Sequence, residues 1–247
     1  MLSVSIVIPV AAVLFLSSLT RATFGFGDAL FALPLLSAVI GVRAAAPLVL
    51  LIGFSLSIMM LIRYWKFLRI ANIWRILLSA VCGIPVGIFL LKGIDESIMK
   101  LVLSFLTIGF SLYNLFNPDI RRAKHVPVVH YSLGFVSGVF GGAYNIPGPP
   151  LVMLSALSGW PPDIFRVNLQ SIFLIMGPIV IFGHTVSGLL TREVALLAVI
   201  SFPFAFGAFF LGKFIASKLS PERFYSFVYL LILLVGGFLL IRTLVTW

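Results

Sequence analysis

Long apolar stretches, separated by charged breaks or by breaks rich in glycine and proline, run through the whole sequence. The stretches cover about residues 4–22, 29–41, 44–62, 76–91, 98–117, 131–141, 147–158, 164–190, 194–212 and 224–241. A helix needs about 20 residues to cross the hydrocarbon core of a bilayer, and several stretches reach that length. The longest polar connection, Asn117 to His130, leaves no room for a soluble domain. We therefore expect binding to take place within the membrane.

The composition points to the same class of protein. Hydrophobic residues make up 61% of the chain and charged residues 10%, whereas about 25% of an ordinary soluble domain is charged. So few polar side chains cannot cover the surface of a soluble fold. The first segment, Met1 to Ser18, lacks the basic start of a cleaved signal peptide, so we expect a retained membrane segment. The sequence predicts an all-α polytopic membrane protein with one membrane domain.

The sequence also repeats itself. The segments FGFGDALFALPLL at 24–36 and YNIPGPPLVML at 144–154 each hold a break of small residues and a short apolar run. Shifts of 123 and then 125 residues align Gly25 with Gly148 and Gly87 with Gly212. This pattern predicts about eight transmembrane elements in two related four-element repeats, each with one broken or re-entrant helix. The predicted boundaries are 1–117 for the first repeat, 118–130 for a basic cytoplasmic connection and 131–247 for the second repeat.

The distribution of charge bears on topology. The chain has 17 Lys and Arg against 7 Asp and Glu, but no window combines a basic run with the aromatics that a nucleic-acid binder would need. We expect this charge to lie beside anionic lipid of the inner (plasma) membrane. Cytoplasmic loops are basic, yet the basic connection 63–75 corresponds to a loop that holds only Arg192 and Glu193. Matching loops thus face opposite sides, which favours an inverted repeat over a parallel one.

The two breaks are the first candidates for a binding site. Non-helical backbone in a membrane must line a protein-enclosed or watery cavity, because unpaired peptide groups are costly in hydrocarbon. Gly25, Gly27 and Gly148 permit unusual backbone conformations, and Pro149 and Pro150 suit the first turn of a helix. A helix that begins at each break would direct its N–H groups and positive dipole end toward a bound anion. The alternative is an ordinary glycine–proline kink at each break.

Asp28 is the acid that falls inside a break, whereas the other six lie in connections. A carboxylate at such depth is costly unless it is paired or protonated, so Asp28 could couple transport to protons or contact a cationic part of the solute. It could equally cap the helix at 29–41. Arg21, just before the same break, could bind an anion, pair with Asp28, or extend its charge to the membrane interface.

The second half adds polar candidates. Arg166 and its repeat equivalent Arg43 each stand near the start of a long helix, where a bound anion or a lipid headgroup would favour a cation. Asn168 and Gln170 follow Arg166 in an otherwise apolar helix, where they would face a cavity or form polar contacts between helices. Asn145 lies in the second break and could donate hydrogen bonds to a solute.

Tyr144 and His184 are secondary candidates. His184 could relay protons, although a histidine that is simply hydrogen-bonded within a bundle is the alternative. The sequence has no HExxH, GxSxG or P-loop motif and a single cysteine, Cys82. An embedded enzyme would need a nucleophile with a base, or three metal ligands. We therefore predict that the protein is not an enzyme and has no cofactor or metal.

Four motifs resemble one family of transporters. They are GFGDALFALPLL at 25–36, VRAAAP at 42–47, GVFGGAYNIPGPPL at 138–151 and FRVNLQ at 165–170. Together they resemble the duplicated motifs of the TauE/SafE family of sulfite and organosulfonate exporters, also described as a toluenesulfonate-uptake-type permease family. The resemblance extends over nearly the whole chain. It implies secondary transport of small sulfur-containing anions such as sulfite or organosulfonates.

The sequence and the resemblance together predict a transporter, an exporter by its family, that binds its substrate at helix breaks near the bilayer midplane. An uncoupled anion channel and a membrane-embedded enzyme are the alternatives. The expected partners are a small anionic solute, membrane lipid and a second copy of the chain in a homodimer, with no nucleic acid. The predicted substrate-binding residues are Arg21, Gly25, Gly27, Asn145, Gly148, Arg166 and Gln170, with Asp28 for proton coupling and Arg43, Tyr144, Asn168 and His184 as secondary candidates.

Overall fold

A computed structural model describes residues 3–64, 73–116, 127–160, 162–216 and 221–245. Within these ranges the chain forms ten α-helices and no strand. The helices are α1 (Val4–Phe24), α2 (Asp28–Ile40), α3 (Val42–Tyr64), α4 (Trp74–Gly93), α5 (Glu96–Phe116), α6 (Pro127–Tyr144), α7 (Gly148–Ser158), α8 (Pro162–Val186), α9 (Arg192–Ala216) and α10 (Pro221–Val245).

The helices have the length and surface of membrane spans. Within the described ranges, six are long and apolar enough to cross a bilayer: α1, α3, α4, α5, α8 and α9. Their outer faces carry large apolar side chains, such as Phe89, Phe182 and Val199, which are 74%, 71% and 69% exposed. Water would penalise such a surface, whereas lipid tails match it. The predicted all-helical polytopic membrane fold is confirmed.

Each of the two expected broken elements consists of two separate helices. In the first half α1 has 21 residues, enough to cross a bilayer alone, and the break joins it to α2, which has 13. In the second half the stretch at 131–141 extends to an 18-residue helix, α6, since Gly141 and Gly142 remain helical. The break then leads into α7, which has only 11 residues.

The packing of the helices relates the two halves. Helix α1 packs on α9, and α4 packs on α6. If α6–α10 are matched in order to α1–α5, α1 corresponds to α6 and α4 corresponds to α9. The α1–α9 pair then corresponds to the α6–α4 pair. The packed pairs α3–α8 and α5–α10 each join two corresponding helices. This pattern supports two related halves. The inverted orientation stays a prediction, and the basic residues at 117–126 that bear on it lie outside the described residues, as do Lys66, Arg69 and Lys218.

Glycines allow close approach between the helices of the pairs α1–α9 and α4–α6. A Cβ added at Gly87 of α4 would stand 2.1 Å from the carbonyl oxygen of Val139 in α6. A Cβ at Gly212 of α9 would stand 3.0 Å from Cα of Leu19 in α1. Such backbone contact is the usual role of small residues between membrane helices. Gly87 and Gly212, which the repeat aligns, thus occupy equivalent contacts.

Candidate functional site

The two breaks meet around one cavity. The first residues of α2 and of α7 line it, together with side chains from α1, α3, the end of α6 and α8. The cavity has a volume of about 40 Å³. Its lining residues include Arg21, Gly27, Asp28, Gly53, Ser57, Asn145, Gly148 and Phe173. Segments far apart in sequence therefore form one polar centre inside an otherwise apolar bundle.

The backbone at the first break requires glycine. Gly25 ends α1 with φ +82°, and its N–H donates to the carbonyl of Arg21 at 2.8 Å. Gly27 precedes α2 with φ +94°. Both angles lie in the left-handed region that side chains disfavour. No side chain caps α2 at its N-cap position, Gly27, so N–H groups of its first turn remain at the cavity.

The second break is built differently. Asn145 adopts a left-handed conformation with φ +54° and ends α6 with an N–H donated to the carbonyl of Gly141 at 3.0 Å. Two of the first three residues of α7, Pro149 and Pro150, are prolines without an N–H. The start of α7 therefore offers fewer amide donors than an ordinary helix start. Its contribution to an anion site depends on Gly148 and on the dipole.

A buried ion pair lies beside the first break. Nη1 of Arg21 donates to both carboxylate oxygens of Asp28, each at 2.7 Å. The two side chains are 4% and 7% exposed. Asp28 is the first residue of α2 rather than its N-cap, and its carboxylate binds Arg21. Of the alternatives for Arg21, the geometry matches pairing with Asp28, since a guanidinium reaching the interface would be exposed.

Three further groups hold the guanidinium. Nη2 of Arg21 donates to the hydroxyl of Ser57 and, at 3.4 Å, to Oε1 of Gln170. Its Cζ atom lies 5.3 Å from the ring centroid of Phe173. Nε has no hydrogen-bond partner among the described residues. We call Arg21, Asp28, Ser57 and Gln170 the Arg21 cluster; it joins α1, α2, α3 and α8.

Gln170 also stabilises the break itself. Its Nε2 donates to the carbonyl oxygen of Gly25, at the end of α1. This bond satisfies a carbonyl that the interrupted helix leaves without a helical donor. Arg166 lies one turn earlier in α8, and its Cγ would be 3.8 Å from a Cβ added at Gly25. Arg166 thus lies beside the break but does not line the cavity.

Gly53 is the point at which the polar side chains converge. A Cβ added there would stand 3.1 Å from Oδ2 of Asp28, 3.4 Å from Nη1 of Arg21 and 3.5 Å from Nδ2 of Asn145. The absence of a side chain at this position of α3 lets Asn145 come near the ion pair. The second break thus adds a neutral amide to the Arg21 cluster.

Sequence reasoning missed three residues of the site: Gly53, Ser57 and Phe173. Gly53 and Ser57 are one turn apart in α3, and the Ser57 hydroxyl donates to the Gly53 carbonyl at 3.0 Å. A serine in an apolar helix is a weak signal, because its hydroxyl commonly bonds its own backbone. Phe173 is one of 24 phenylalanines. The small pair in α3 was the signal that could have been used.

Arg43 lies elsewhere, at the C-terminal end of α4. Its Nη2 donates to the carbonyls of Lys92 and Ile94, each at 3.0 Å, and its Nε to that of Leu91 at 3.3 Å. These carbonyls lack helical donors, and the dipole at a helix C-terminus favours a cation. A neighbouring helix end therefore accounts for this arginine at the start of α3.

The other secondary candidates also lie off the cavity lining. Tyr144 donates its hydroxyl to the carbonyl of Met99 at 2.9 Å. His184 is fully buried, with Nε2 at 2.8 Å from the carbonyl of Gly142. Asn168 is buried in α8, where its Nδ2 has no partner among the described residues. The structure therefore brings Arg21, Gly27, Asp28, Asn145 and Gly148 to the cavity itself, with Gly25 and Gln170 directly behind them.

Comparison with known proteins places this arrangement in a family. The sequence model described as "Sulfite exporter TauE/SafE" matches residues 10–239, nearly the whole chain. A curated "Probable membrane transporter protein" of Haemophilus influenzae (strain ATCC 51907 / DSM 11121 / KW20 / Rd) is 31% identical over 98 residues. That match covers 36% of this chain and 38% of the relative. No solved structure matches the chain. The chain belongs to the sulfite exporter TauE/SafE family of multi-pass membrane transporters.

Proposed function

We propose that the protein is a secondary transporter that moves small sulfur-containing anions, such as sulfite or organosulfonates, across the inner membrane. The observation that carries this proposal is the buried guanidinium of Arg21 where the two helix breaks meet. A buried cation among polar donors is the standard means of binding an oxyanion. Its burial strengthens the attraction, because water does not screen it. The name of the family supports a sulfur oxyanion as the substrate.

The surrounding groups would give the site its hydrogen bonds. Arg21 supplies the charge, the Asn145 amide supplies a neutral donor, and the first turn of α2 supplies N–H groups. The Ser57 hydroxyl accepts from Arg21 and holds the guanidinium in place. Phe173 lies over the guanidinium and fixes its plane. The three oxygens of a sulfite or sulfonate group could accept from these donors together.

The size of the cavity favours a carrier over an uncoupled channel. A volume of about 40 Å³ suffices for a few water molecules. A sulfonate with its organic group needs more room than this, so helices must move to admit it. A carrier alternates between states that open to one side at a time, whereas a channel needs a continuous path.

Asp28 is our proposal for the proton-coupling group. Among the residues that line the cavity it is the acid, and its carboxylate holds the cation that the substrate would need. Protonation of Asp28 would release that cation. We expect Asp28→Asn to transport without dependence on the pH gradient; full pH-dependent transport by this variant would exclude Asp28 from coupling.

Transport and binding test the proposal directly. Purified protein should show a ligand-induced rise in melting temperature with sulfite or an organosulfonate in a screen of sulfite, sulfate, sulfoacetate, taurine and simple carboxylates. A ligand at 100 times its Kd adds about 2.7 kcal/mol to the free energy of unfolding. Proteoliposomes should then accumulate radiolabelled sulfite, or the organosulfonate that binds, under a pH gradient.

A pair of variants completes the test. Arg21→Gln should abolish accumulation, whereas Arg192→Gln, which alters an exposed arginine away from the cavity, should not. The proposal fails if no anion in the screen binds or is transported. Passage of anions that never exceeds the equilibrium distribution would instead identify an uncoupled channel.

A further inference from the structure

We infer that the Asp28 carboxylate occupies the place of the substrate's oxyanion, so that the site accepts a monovalent anion together with one proton and rejects dianions. This inference rests on the proposed transport of small anions and specifies their charge. Its basis is that Nη1 of Arg21 binds both Asp28 oxygens at 2.7 Å, as it would bind two oxygens of a sulfonate.

The charged residues that line the cavity determine which net charge a bound solute can have. Arg21 and Asp28 are the charged residues of its lining, and their charges cancel. Helix α3 contributes Gly53 and Ser57, the end of α6 contributes Asn145, and α8 contributes Gln170 and Phe173, all of them neutral. Every helix that packs closely on the ion pair therefore adds dipoles or a ring, but no further charge that lines the cavity.

The other titratable groups among the described residues are not part of the cavity lining. Arg166 is beside Gly25 behind the cavity wall, and His184 bonds the Gly142 carbonyl. At the opposite end of α2, Glu96 pairs with Lys100 at 2.9 Å, and Arg43 bonds the end of α4. Helix α10 also packs on α2, and Arg242 lies in the last turn of α10. None of these groups lines the cavity.

The exchange conserves charge. Before binding, Arg21⁺ and Asp28⁻ sum to zero. A monoanion replaces the two carboxylate oxygens on Nη1, and Asp28 takes up one proton, so Arg21⁺, neutral Asp28 and the anion again sum to zero. A dianion would leave one uncompensated negative charge in a buried site, which is strongly unfavourable. An anion that bound without the proton would be repelled by the ionised Asp28.

The consequence is selection by charge. The site should accept alkyl sulfonates and hydrogen sulfite, and it should discriminate against sulfate. Sulfite itself is a poor probe, because near neutral pH it interconverts between one and two charges. Methanesulfonate keeps one charge at every usable pH, and its methyl group replaces one oxygen of sulfate, so this pair differs mainly in charge.

Binding of this pair to the full chain tests the inference. We expect methanesulfonate to bind at least tenfold more tightly than sulfate, with uptake of one proton per anion in weakly buffered solution. Because one proton is taken up per anion, its affinity should fall about tenfold for each unit by which the pH rises. Sulfate that binds as tightly as methanesulfonate, or methanesulfonate that binds without proton uptake, would overturn the inference.

These outcomes separate the inference from the proposed function. If sulfite or another anionic sulfonate is transported but methanesulfonate neither binds nor competes, the selection by charge is wrong and anion transport stands. If no anion in the wider screen binds or moves, the proposed function itself is wrong.

Variants locate the proton. Asp28→Asn should bind methanesulfonate without proton uptake and without dependence on pH. Asp95→Asn is the matched control, because Asp95 is exposed and accepts from the Ser97 N–H at 2.8 Å, a bond that asparagine can keep. This control should retain the proton uptake of the unaltered protein. Equal proton uptake by the two variants would overturn the assignment to Asp28.

Asp28→Asn leaves the buried charge of Arg21 without a partner, so this variant could misfold. A third variant keeps the inference testable in that case. Ser57→Ala keeps the ion pair and removes one hydrogen-bond acceptor of Arg21 Nη2, the Ser57 hydroxyl oxygen. It should weaken methanesulfonate binding severalfold while one proton is still taken up per anion. Loss of proton uptake in Ser57→Ala, with binding retained, would contradict the inference.

Discussion

Phe26 lies against Gly148, so that the two helix breaks touch although they belong to different halves of the chain. A Cβ added at Gly148 would stand 3.3 Å from Cδ2 of Phe26. The Phe26 ring also makes edge contacts with Phe110 of α5 and Phe165 of α8, at centroid distances of 6.2 and 5.8 Å. Contacts with α5 and α8 thus hold the loop between Gly25 and Gly27 beside the start of α7.

Gly53→Ala should disrupt the centre of the site. The new Cβ would stand 3.1 Å from Oδ2 of Asp28 and 3.4 Å from Nη1 of Arg21, so the ion pair must shift. We expect a loss of about 1–3 kcal/mol in the free energy of unfolding, the usual cost of overpacking, and loss of anion transport. Thermal unfolding in detergent and uptake into proteoliposomes measure the two effects.

The control for Gly53→Ala is Gly207→Ala in α9, where an added Cβ meets no atom within 4 Å. It should keep transport and leave stability unchanged or slightly higher, because alanine is the better helix former. Equal behaviour of the two variants would mean that the space at Gly53 has no role.

The Arg21–Asp28 pair should show strong coupling in a double-mutant cycle. Arg21→Gln or Asp28→Asn alone leaves one buried charge without its partner, which costs about 3–5 kcal/mol. The double variant should lose markedly less than the sum, because neither charge remains. Thermal unfolding of the four proteins gives the coupling energy, and additive losses would show that the pair does not act as a unit.

The close helix contacts predict that Gly87→Ala destabilises the protein more than Gly212→Ala. An added Cβ meets the Val139 carbonyl oxygen at 2.1 Å in the first case and Leu19 Cα at 3.0 Å in the second. Rigid backbone cannot yield as a side chain can, so we expect about 1–3 kcal/mol or more for Gly87→Ala.

Gly93→Ala, at the end of the same helix as Gly87, is the control for these contacts, because no atom lies within 4 Å of its added Cβ. Melting temperatures in one detergent compare the three variants. A fall for Gly93→Ala as large as that for Gly87→Ala would show that the contact between α4 and α6 is not the cause.

Labelling tests the predicted inverted topology. Single cysteines at positions 122 and 218, introduced in a Cys82→Ala background, should both be protected from a membrane-impermeant thiol reagent applied outside intact cells. The physical reason is that basic loops remain in the cytoplasm. Reaction of either position from outside would contradict this arrangement, and labelling after permeabilisation shows that each cysteine can react.

Much of the fold could be predicted from local features of the sequence. The apolar stretches predicted helices because hydrocarbon forces every peptide group into an internal hydrogen bond. The glycines at 25 and 27 predicted a break because their left-handed angles of +82° and +94° are open chiefly to glycine. Both breaks, at 25–27 and 145–147, lie within the small-residue segments that the sequence marked.

What the sequence by itself determined is therefore the helical membrane fold, its two breaks and the candidate residues for an anion site. Tertiary packing decided which of those residues meet. Arg21 donates hydrogen bonds to Ser57 and Gln170, which lie on helices distant in sequence. Arg43 instead donates to a carbonyl at the end of α4. Both are arginines next to a helix boundary, and no local pattern separates them. The difference lies in which unpaired acceptors neighbouring helices bring within reach, because a buried guanidinium bonds the acceptors that surround it.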